Sequence, residues 1–428
     1  MPHSAFTERA ALSEGLGRRG EHGVRPDADV TTRVPPGIDI HGPLNTDDTV
    51  AIALWNDAPF QESLAKLGLS RAELAQAGLL SNPTLAVLFP LGPKQLEFAA
   101  TFPLEALWLR PRRVRIAALD AERAANELLQ TGLDLIRDVR VAVSDVALAR
   151  DRIRTSTEAV QVRDRVTELT TARERAGESS ALDVATQTAE AARARDEAAR
   201  LRWDVALAEQ QLLYLLGLTG VAEHLDVAPI PTPTSDPPPE WLEQRALAAR
   251  PDIRAAEIAV EAAGERAGLA VAEIFAISGI ADANGSGKQG FEMGPGAQLL
   301  LPLFNQNQAA RLRADAEVQR AAWGYVGARQ RVLREVRSSS VRCRQAIEAW
   351  HRWSTELVPF LEELVRGSEA AYEIGELSPL MVQENVRQLV AARAREAELA
   401  ADVRRAWADM ERSVGARIPE DGAGHARR

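Results

Sequence analysis

The sequence predicts a mostly helical fold with a small β part, built from two similar halves. Three observations predict it. The 428 residues are 46% hydrophobic but only 5% aromatic, and this alanine-rich composition is typical of long helices. Long segments contain neither glycine nor proline. The stretch GESSALDVATQ, which begins at Gly177, also has a near copy in GELSPLMVQEN, which begins at Gly375.

Composition excludes several classes of function. The formal net charge of −10 argues against a nucleic-acid-binding protein, which needs a basic face. One cysteine, Cys343, excludes both a disulfide framework and a cysteine metal site. The sequence contains no run of 18 apolar residues, so no transmembrane helix is predicted. The first twenty residues do not show the charged start and apolar core of a secretory signal peptide, and no lipid-anchor cysteine is visible.

Proline and glycine divide the chain into segments. PIPTPTSDPPPE, residues 229–240, is too rich in proline for a helix or a sheet interior and is interpreted as a linker. It separates a first repeat, residues 46–228, from a second repeat, residues 241–415. Residues 1–45 lack periodicity and are interpreted as a flexible arm. Residues 416–428 are interpreted as a disordered tail.

Each repeat is predicted to begin with a short amphipathic helix, at residues 47–68 and 239–260. Two strands are expected to follow in each repeat. In the first repeat they are PTLAVLFP and QLEFAATFPL, joined by the turn LGPK. In the second they are EIFAISGIA and GAQLLLPLF, joined by the glycine-rich DANGSGKQGFEMGPG.

A long helical hairpin is predicted to complete each repeat. No glycine or proline occurs between Gly132 and Gly177, and an uninterrupted helix there would span about 66 Å. Hydrophobic residues recur every seven positions at Val139, Val146, Ile153 and Val160, as in a coiled-coil seam. In the second repeat the pattern covers residues 328–358 and 380–414, with breaks expected at Pro359 and Gly367.

The duplicated stretch predicts the tip of each hairpin, near residues 177–183 and 375–384. Gly177 and Gly375 stand where a helix should end, and glycine adopts the left-handed conformation after a helix terminus at little cost. Ser180 and Ser378 follow three residues later and are good N-caps. Asp183 completes a variant capping box with Ser180. Any antiparallel helical pair needs such a turn, so the local pattern alone also fits an ordinary hairpin.

The order of these elements resembles the TolC-type outer-membrane efflux duct family over residues 46–415. The more specific matches are Asn82-Pro83 before the first strand, the Leu-Pro-Leu-Phe run at residues 301–304, and the paired Gly-x-x-Ser tips. The opening segment AELAQAGLLSNP is most similar to members that accompany heavy-metal or multidrug transporters.

The resemblance implies a homotrimer in the outer membrane that extends into the periplasm. Each chain would lend four strands to one 12-stranded β-barrel, and the long helices would form a periplasmic tube. The tips, Gly177, Ser180, Asp183, Gly375 and Ser378, would dock a periplasmic adaptor that joins the duct to an inner-membrane pump. The duct would export small molecules or metal ions without catalysis, so no enzyme activity, cofactor, metal site or nucleic-acid partner is expected.

Family members carry acidic residues that ring the closed aperture just past the second tip. The matching positions here are Met381, which departs from the common aspartate, and Glu384, which keeps a carboxylate. Three copies of Glu384 could attract cations, as acidic rings do in other pores. The simpler interpretation is that Glu384 is a solvated residue of a helix surface.

Two further patterns favour structural interpretations. GSGK at residues 285–288 lacks the spacing of a phosphate-binding loop and is interpreted as a strand connection. The six histidines, which are listed here in chain order, do not pair at metal-binding spacing: His3, His22, His41, His224, His351 and His425.

The alternative function is a periplasmic coiled-coil scaffold without a pore, or a degenerate, unexported member of the family. Alternation of apolar and polar residues in the strands distinguishes a membrane barrel from a scaffold without a pore, because a lipid-facing sheet needs one apolar face. QLEFAATF alternates, with Leu96, Phe98 and Ala100 on one side, and this favours the barrel.

Overall fold

The computed structural model of the protein describes residues 3–27, 29–89, 96–285 and 290–419. Within them, helices predominate and four strands form one sheet. The elements in chain order are α1 (His3–Gly17), α2 (Thr46–Asn56), α3 (Ala58–Ala77), β1 (Thr84–Leu88), β2 (Leu96–Pro103), α4 (Glu105–Arg175), α5 (Ala181–Leu215), α6 (Pro239–Ala249), α7 (Pro251–Ala272), β3 (Ile277–Gly285), β4 (Phe291–Leu299), α8 (Gln308–Arg352), α9 (Val358–Glu373) and α10 (Pro379–Val414).

The chain forms two compact units, and neither unit is one of the two sequence repeats. The first unit comprises the residues up to Glu62, residues 130–250 and the residues from Val332 onward. The second comprises residues 63–129 and 251–331. Each unit therefore takes segments from both repeats, and the linker at residues 229–240 lies within the first unit.

Long paired helices build the first unit. The predicted seam is partly confirmed, because Val139 and Val146 are fully buried whereas Ile153 and Val160 are half-buried. Ion pairs join α4 to α5 along their length, such as the 2.6 Å contact between Arg195 Nη2 and Asp164 Oδ1. The first predicted helical hairpin is thus formed by α4 and α5.

The second unit contains an antiparallel sheet with strand order β1-β2-β3-β4. The part of α4 that lies in this unit shares a small buried cluster with α7, formed by Leu119, Ile258 and Ala262. The carbonyl oxygen of Ile277 accepts a hydrogen bond of 2.9 Å from the backbone N–H of Leu104. This bond fixes the entry to α4 against the first residue of β3.

The short helix predicted to open each repeat is in fact a pair of helices. In the first repeat Asp57 leaves the helical conformation and its side chain caps α3, accepting a 2.8 Å hydrogen bond from the Phe60 N–H. In the second repeat Arg250 is extended, because it precedes Pro251 and proline disfavours the helical conformation in the residue before it.

The second strand pair was predicted only partly correctly, since residues 277–281 and 296–299 of the predicted strands do lie in β3 and β4. The structure extends β3 and β4 into the glycine-rich stretch that was interpreted as a loop, and the run at residues 301–304 lies outside the sheet. Pairing with β2 aligns β3 over eight residues, and tertiary pairing of this kind overrides the low strand propensity of glycine, asparagine and aspartate. The LGPK turn and residues 286–288 of GSGK lie outside the described residues.

The predicted breaks in the second hairpin also differ from the structure. Helix α9 continues through Gly367. At Pro359 the chain stays helical, because a π-helical turn at Trp353–Leu357 precedes the proline and accommodates its ring and missing N–H. The segment from α8 through α9 is therefore helical throughout, with one π-helical turn between the two α-helices.

The chain ends are more ordered than the prediction of a flexible arm and a disordered tail. Residues 1–45 include helix α1, in which Leu12 and Leu16 are buried. Ala416 and Ile418 are buried as well, although both lie in the predicted tail, residues 416–428. The tail from residue 420 onward lies outside the described residues.

Candidate functional site

The first predicted tip is a sharp turn that ends α4. Gly177 has a φ of 81°, in the left-handed region. Its N–H donates to the carbonyl oxygen of Glu174 at 3.0 Å, and the N–H of Glu178 donates to that of Arg173 at 2.8 Å. These two bonds are the Schellman motif, which satisfies carbonyl groups left over at a helix end.

The second tip repeats this geometry at the end of α9. Gly375 has a φ of 82°, its N–H donates to the carbonyl oxygen of Tyr372 at 3.0 Å, and Glu376 donates to Ala371 at 2.9 Å. The duplicated sequence therefore folds into the same turn twice.

The helices that follow the two turns begin differently. Ser180 forms the predicted capping box: its Oγ accepts a 3.1 Å hydrogen bond from the Asp183 N–H, and Asp183 Oδ2 accepts one of 3.0 Å from the Ser180 N–H. Hydrogen bonds from Ser180 lower the pKa of Asp183. Ser378 occupies the N-cap position of α10, but its side chain makes no capping hydrogen bond. Pro379 follows it in the first turn.

Exposed apolar side chains surround both turns. Leu182 is 75% exposed beside the first turn, and Ile374 and Leu380 are 71% and 67% exposed beside the second. Met381 is also exposed. Large apolar residues at a solvent-exposed turn are typical of a surface that binds another protein. Sequence reasoning missed the leucines and the isoleucine, although apolar residues beside a glycine-serine turn were a visible signal.

The two tips are linked within one chain. The guanidinium of Arg173, in the last turn of α4, lies 4.0 Å from the ring centroid of Tyr372 in α9. Its Nη2 donates a 2.6 Å hydrogen bond to the Tyr372 carbonyl oxygen. Between the other two helices, Gln187 Nε2 donates to Gln383 Oε1 at 3.3 Å. Sequence analysis did not predict these contacts, because no local pattern pairs residues from different repeats.

A buried hydrophobic cluster supports the linked tips from behind. Its members come from α4, α9 and α10, and its interior includes Tyr372 and Val382, which are at most 2% exposed. The complete buried set is Val166, Val358, Leu361, Val365, Tyr372, Val382, Val386, Leu389 and Ala392. The turns are therefore held on a packed base of helices.

Glu384 does not present a free carboxylate. Arg387, one turn further along α10, donates to its two oxygens at 2.9 and 2.7 Å, and Gln388 Nε2 donates at 2.9 Å. Hydrogen bonds from Arg387 and Gln388 lower the pKa of Glu384 to about 2. Met381 lies on the exposed side of the same first turns of α10.

The sheet of the second unit has two faces of opposite character. Residues paired directly across neighbouring strands point to the same face, so the register assigns each side chain. One face carries only apolar or small residues: Leu85, Val87, Leu96, Phe98, Ala100, Phe102, Ile277, Gly279, Ala281, Ala283, Met293, Pro295, Ala297 and Leu299. The other carries all the polar residues, namely Thr84, Glu97, Thr101, Ser278, Asp282, Asn284, Glu292 and Gln298, together with the apolar Ala86, Leu88, Ala99, Pro103 and Ile280.

Both edges of this sheet are open. Within the described residues β1 pairs only with β2, and β4 pairs only with β3. Every side chain of β1 is exposed, including Leu85 at 67%, and on β4 Met293 is 81% exposed. Open apolar edges of this kind are sites for pairing with another strand.

No other kind of site emerges from the described residues. They contain no group of three or more His, Cys, Asp or Glu side chains that could hold a metal ion. His224 contacts Glu209 at 3.1 Å, and His425 lies outside the described part of the chain. Among the helices of the described residues, none is long and apolar enough to span a membrane.

These features define a protein of paired helical hairpins with an open-edged, two-faced sheet. The chain matches the profile of the family described as outer membrane efflux protein over residues 95–218 and 242–416. Because these segments make up more than half of the sequence, the chain belongs to the outer membrane efflux protein family. The predicted resemblance is thereby confirmed, and the chain has a channel role in an efflux system.

Solved structures share the fold. CusC superposes with a TM-score of 0.73 at 19% identity, covering 87% of this chain and 92% of that one. A membrane protein from Pseudomonas aeruginosa gives 0.73 at 20% identity, with coverage of 91% and 98%. The outer membrane protein VceC from Vibrio cholerae gives 0.71 at 18%, with coverage of 87% and 96%. Comparison with curated protein sequences gave no significant match.

Proposed function

We propose that three copies of this chain form one channel, with a 12-stranded β-barrel in the outer membrane and a tube of helices in the periplasm. Small molecules or metal ions leave the cell through it. The chain supplies a passage and no chemistry. We also propose the heavy-metal or multidrug subtype, which the opening segment AELAQAGLLSNP resembles.

The observation that carries the proposal is the separation of the two sheet faces. A sheet that spans a bilayer meets lipid on one face, so that face must be apolar throughout. The face that includes Leu85, Phe98 and Met293 meets this requirement across all four strands. The opposite face, with Glu97, Asp282 and Glu292, suits a water-filled interior.

The open edges support closure by identical chains. Backbone groups at a sheet edge cannot stay unpaired in lipid, so only closed barrels are stable there. Four strands from each of three chains give twelve, and β1 of one copy would pair with β4 of the next. Strands β3 and β4 have nine residues each, which reaches the length of about 9–11 residues that a tilted membrane strand needs.

The tips are proposed as the docking site of a periplasmic adaptor that connects the channel to an inner-membrane pump. Each chain has two similar turns, at Gly177 and Gly375, and each turn carries an exposed leucine, Leu182 or Leu380. Three chains would offer six, a repeated surface suited to a partner that binds through repeated hairpins. Ser180, Asp183 and Ser378 would shape the turns.

Two neighbouring alanines provide the test. Ala100 lies on the apolar face opposite Leu85, and Ala99 lies on the polar face opposite Asp282. An arginine at Ala100 would face lipid, at a cost of about 2–4 kcal/mol per chain near the bilayer centre. We expect Ala100→Arg to abolish the heat-sensitive trimer in outer-membrane fractions, and Ala99→Arg to preserve it.

The outcomes separate the two functions. Equal tolerance of both substitutions, with the chain in a soluble fraction, would reject the barrel and favour a coiled-coil scaffold or an unexported family member. Loss of the trimer in both variants would show that the assignment of faces is wrong. Fractionation of the natural gene product should accompany the variants, since it reports where the unaltered chain resides.

A further inference from the structure

A buried network of charges fastens the N-terminal segment, residues 9–25, to the rest of the first unit. Arg140 in α4 donates to both carboxylate oxygens of Glu21, at 3.0 and 3.1 Å, and to Glu411 Oε2 in α10 at 2.7 Å. The side chains of Glu21 and Glu411 are only 3% and 6% exposed. Two buried carboxylates thus share one guanidinium.

The N-terminal segment contacts both sequence repeats. In the first repeat, Arg9 Nη1 donates to Gln61 Oε1 at 3.1 Å, in addition to the Glu21–Arg140 contact. In the second, Arg19 Nη2 donates to the Ala249 carbonyl oxygen at 2.8 Å. The Arg19 carbonyl oxygen also accepts a 3.0 Å hydrogen bond from the Arg417 N–H, just beyond α10.

A tight backbone turn after α1 places Glu21 beside Arg140 and Glu411. Glu21 N–H donates to the Leu16 carbonyl oxygen at 3.1 Å, and Gly20 N–H donates to that of Gly17 at 3.0 Å. Leu16 is fully buried beneath the turn. The turn therefore fixes the backbone of Glu21 next to the buried Leu16.

Electrostatics make this contact depend on proton uptake. Burial disfavours the ionised carboxylate, and the neighbouring charge of Glu411 adds to the effect, although Arg140 opposes it. Together they raise the pKa of Glu21 to about 7, and burial raises the pKa of Glu411 as well. The remaining charged groups that face the pair are Arg417 and, through its 3.0 Å contact with Arg417, Asp47 of α2.

We propose that residues 9–25 are a proton-sensitive clasp that joins the two repeats, held more firmly when the Glu21–Glu411 pair carries a proton. The docked segment binds a proton in the window between about pH 4.5 and 7, where the released segment does not. Docking is therefore strongest at the acidic side of this window and weakens as the pH rises through 7.

Hydrogen exchange on the full-length protein tests the clasp. The reporter is the backbone amide of Arg417, whose hydrogen bond to the Arg19 carbonyl oxygen breaks when the segment leaves. After correction for intrinsic exchange, we expect its protection to fall about tenfold between pH 6 and pH 8, which is the linkage expected for a pKa near 7.

Variants identify the group responsible. Glu21→Gln keeps the shape and hydrogen-bonding oxygen of the protonated acid, so the segment should stay docked and the pH dependence should vanish. Glu14→Gln, on the exposed side of α1, and His22→Asn, beside Glu21, should keep the tenfold change. Glu411→Gln removes the like charge, so the change should move to lower pH.

The proposal is overturned by protection in the unaltered protein that does not change between pH 6 and pH 8. It is also overturned if Glu21→Gln retains the full change, or if His22→Asn removes it. Because the readout is local exchange and not transport, these outcomes do not depend on whether the chain forms a channel.

Discussion

Arg173 caps the helix that ends in the opposite tip. Its Nη2 donates to the carbonyl oxygen of Tyr372, which also accepts the N–H of Gly375 in the second turn, while its guanidinium covers the tyrosine ring. A positive charge at a helix C-terminus is favourable, and stacking on an aromatic face adds to it. One side chain from the first hairpin thus stabilises the turn of the second.

Removing this side chain should loosen the second tip. Arg173→Ala loses the stacking and a charged hydrogen bond, together about 1–3 kcal/mol of local stability. We expect faster hydrogen exchange at Gly375 and Glu376, whose N–H groups close the turn. Arg175→Ala, two residues along the same exposed helix end, is the matched control and should leave this exchange unchanged. Equal exchange in the two variants would contradict the assigned role of Arg173.

The two N-cap serines should respond differently to the same substitution. Ser180→Ala removes a capping hydrogen bond and should cost about 1 kcal/mol in the first turn of α5. Ser378→Ala should cost much less at the start of α10, because the Ser378 side chain makes no such bond and Pro379 already favours helix initiation. Exchange of the first-turn amides in both helices measures the difference, and similar costs would contradict it.

The sequence predicted the tips well because their chemistry is local. A glycine that ends a helix and a serine three residues later specify the turn with neighbouring residues alone, and both turns have the predicted form. The side chain of Ser378 is the exception. Proline at the next position starts α10 without it, so residue type predicted the position of the cap but not its hydrogen bond.

The sequence predicted the second strand pair and the N-terminal segment poorly because distant partners determine both. Strand β3 contains Gly279 and Asn284, which propensity assigns to loops, yet pairing with β2 keeps it extended. Residues 9–25 lack a strong periodic pattern, but Glu21 finds Arg140 more than a hundred positions away. Contacts between residues so far apart in the sequence become visible only in the tertiary structure. By contrast, the Glu384–Arg387 pair has helical i, i+3 spacing, so this ion pair could have been predicted from the sequence.

The exposed leucines of the tips should matter for partner binding and not for assembly. Leu182→Arg and Leu380→Arg place charge on the proposed docking surface and leave both glycine turns intact. We expect both variants to form the trimer but to lose co-purification with a cross-linked adaptor and efflux-dependent resistance. Val221→Arg, at a similarly exposed valine in a loop outside the tips, is the control. Normal resistance in both tip variants would remove the docking assignment.

Ion selectivity should depend on Glu384 and Arg387 in opposite directions if Glu384 lines the aperture. In the folded chain Arg387 pairs with Glu384, so three copies in the proposed trimer would present ion pairs in place of three free carboxylates. Arg387→Gln should free the carboxylates and raise the cation-to-anion permeability ratio. Glu384→Gln should leave unpaired arginines and lower it. Reversal potentials in a salt gradient across a planar bilayer measure both, and the double variant should return to the original ratio.

Because Arg387 and Gln388 hold the pKa of Glu384 at about 2, the carboxylate ionises as the pH rises through that value and stays ionised above it. The ratio of the unaltered channel should therefore not vary through Glu384 between pH 5 and pH 8. Unchanged reversal potentials in both single variants would return Glu384 to the solvated surface of α10.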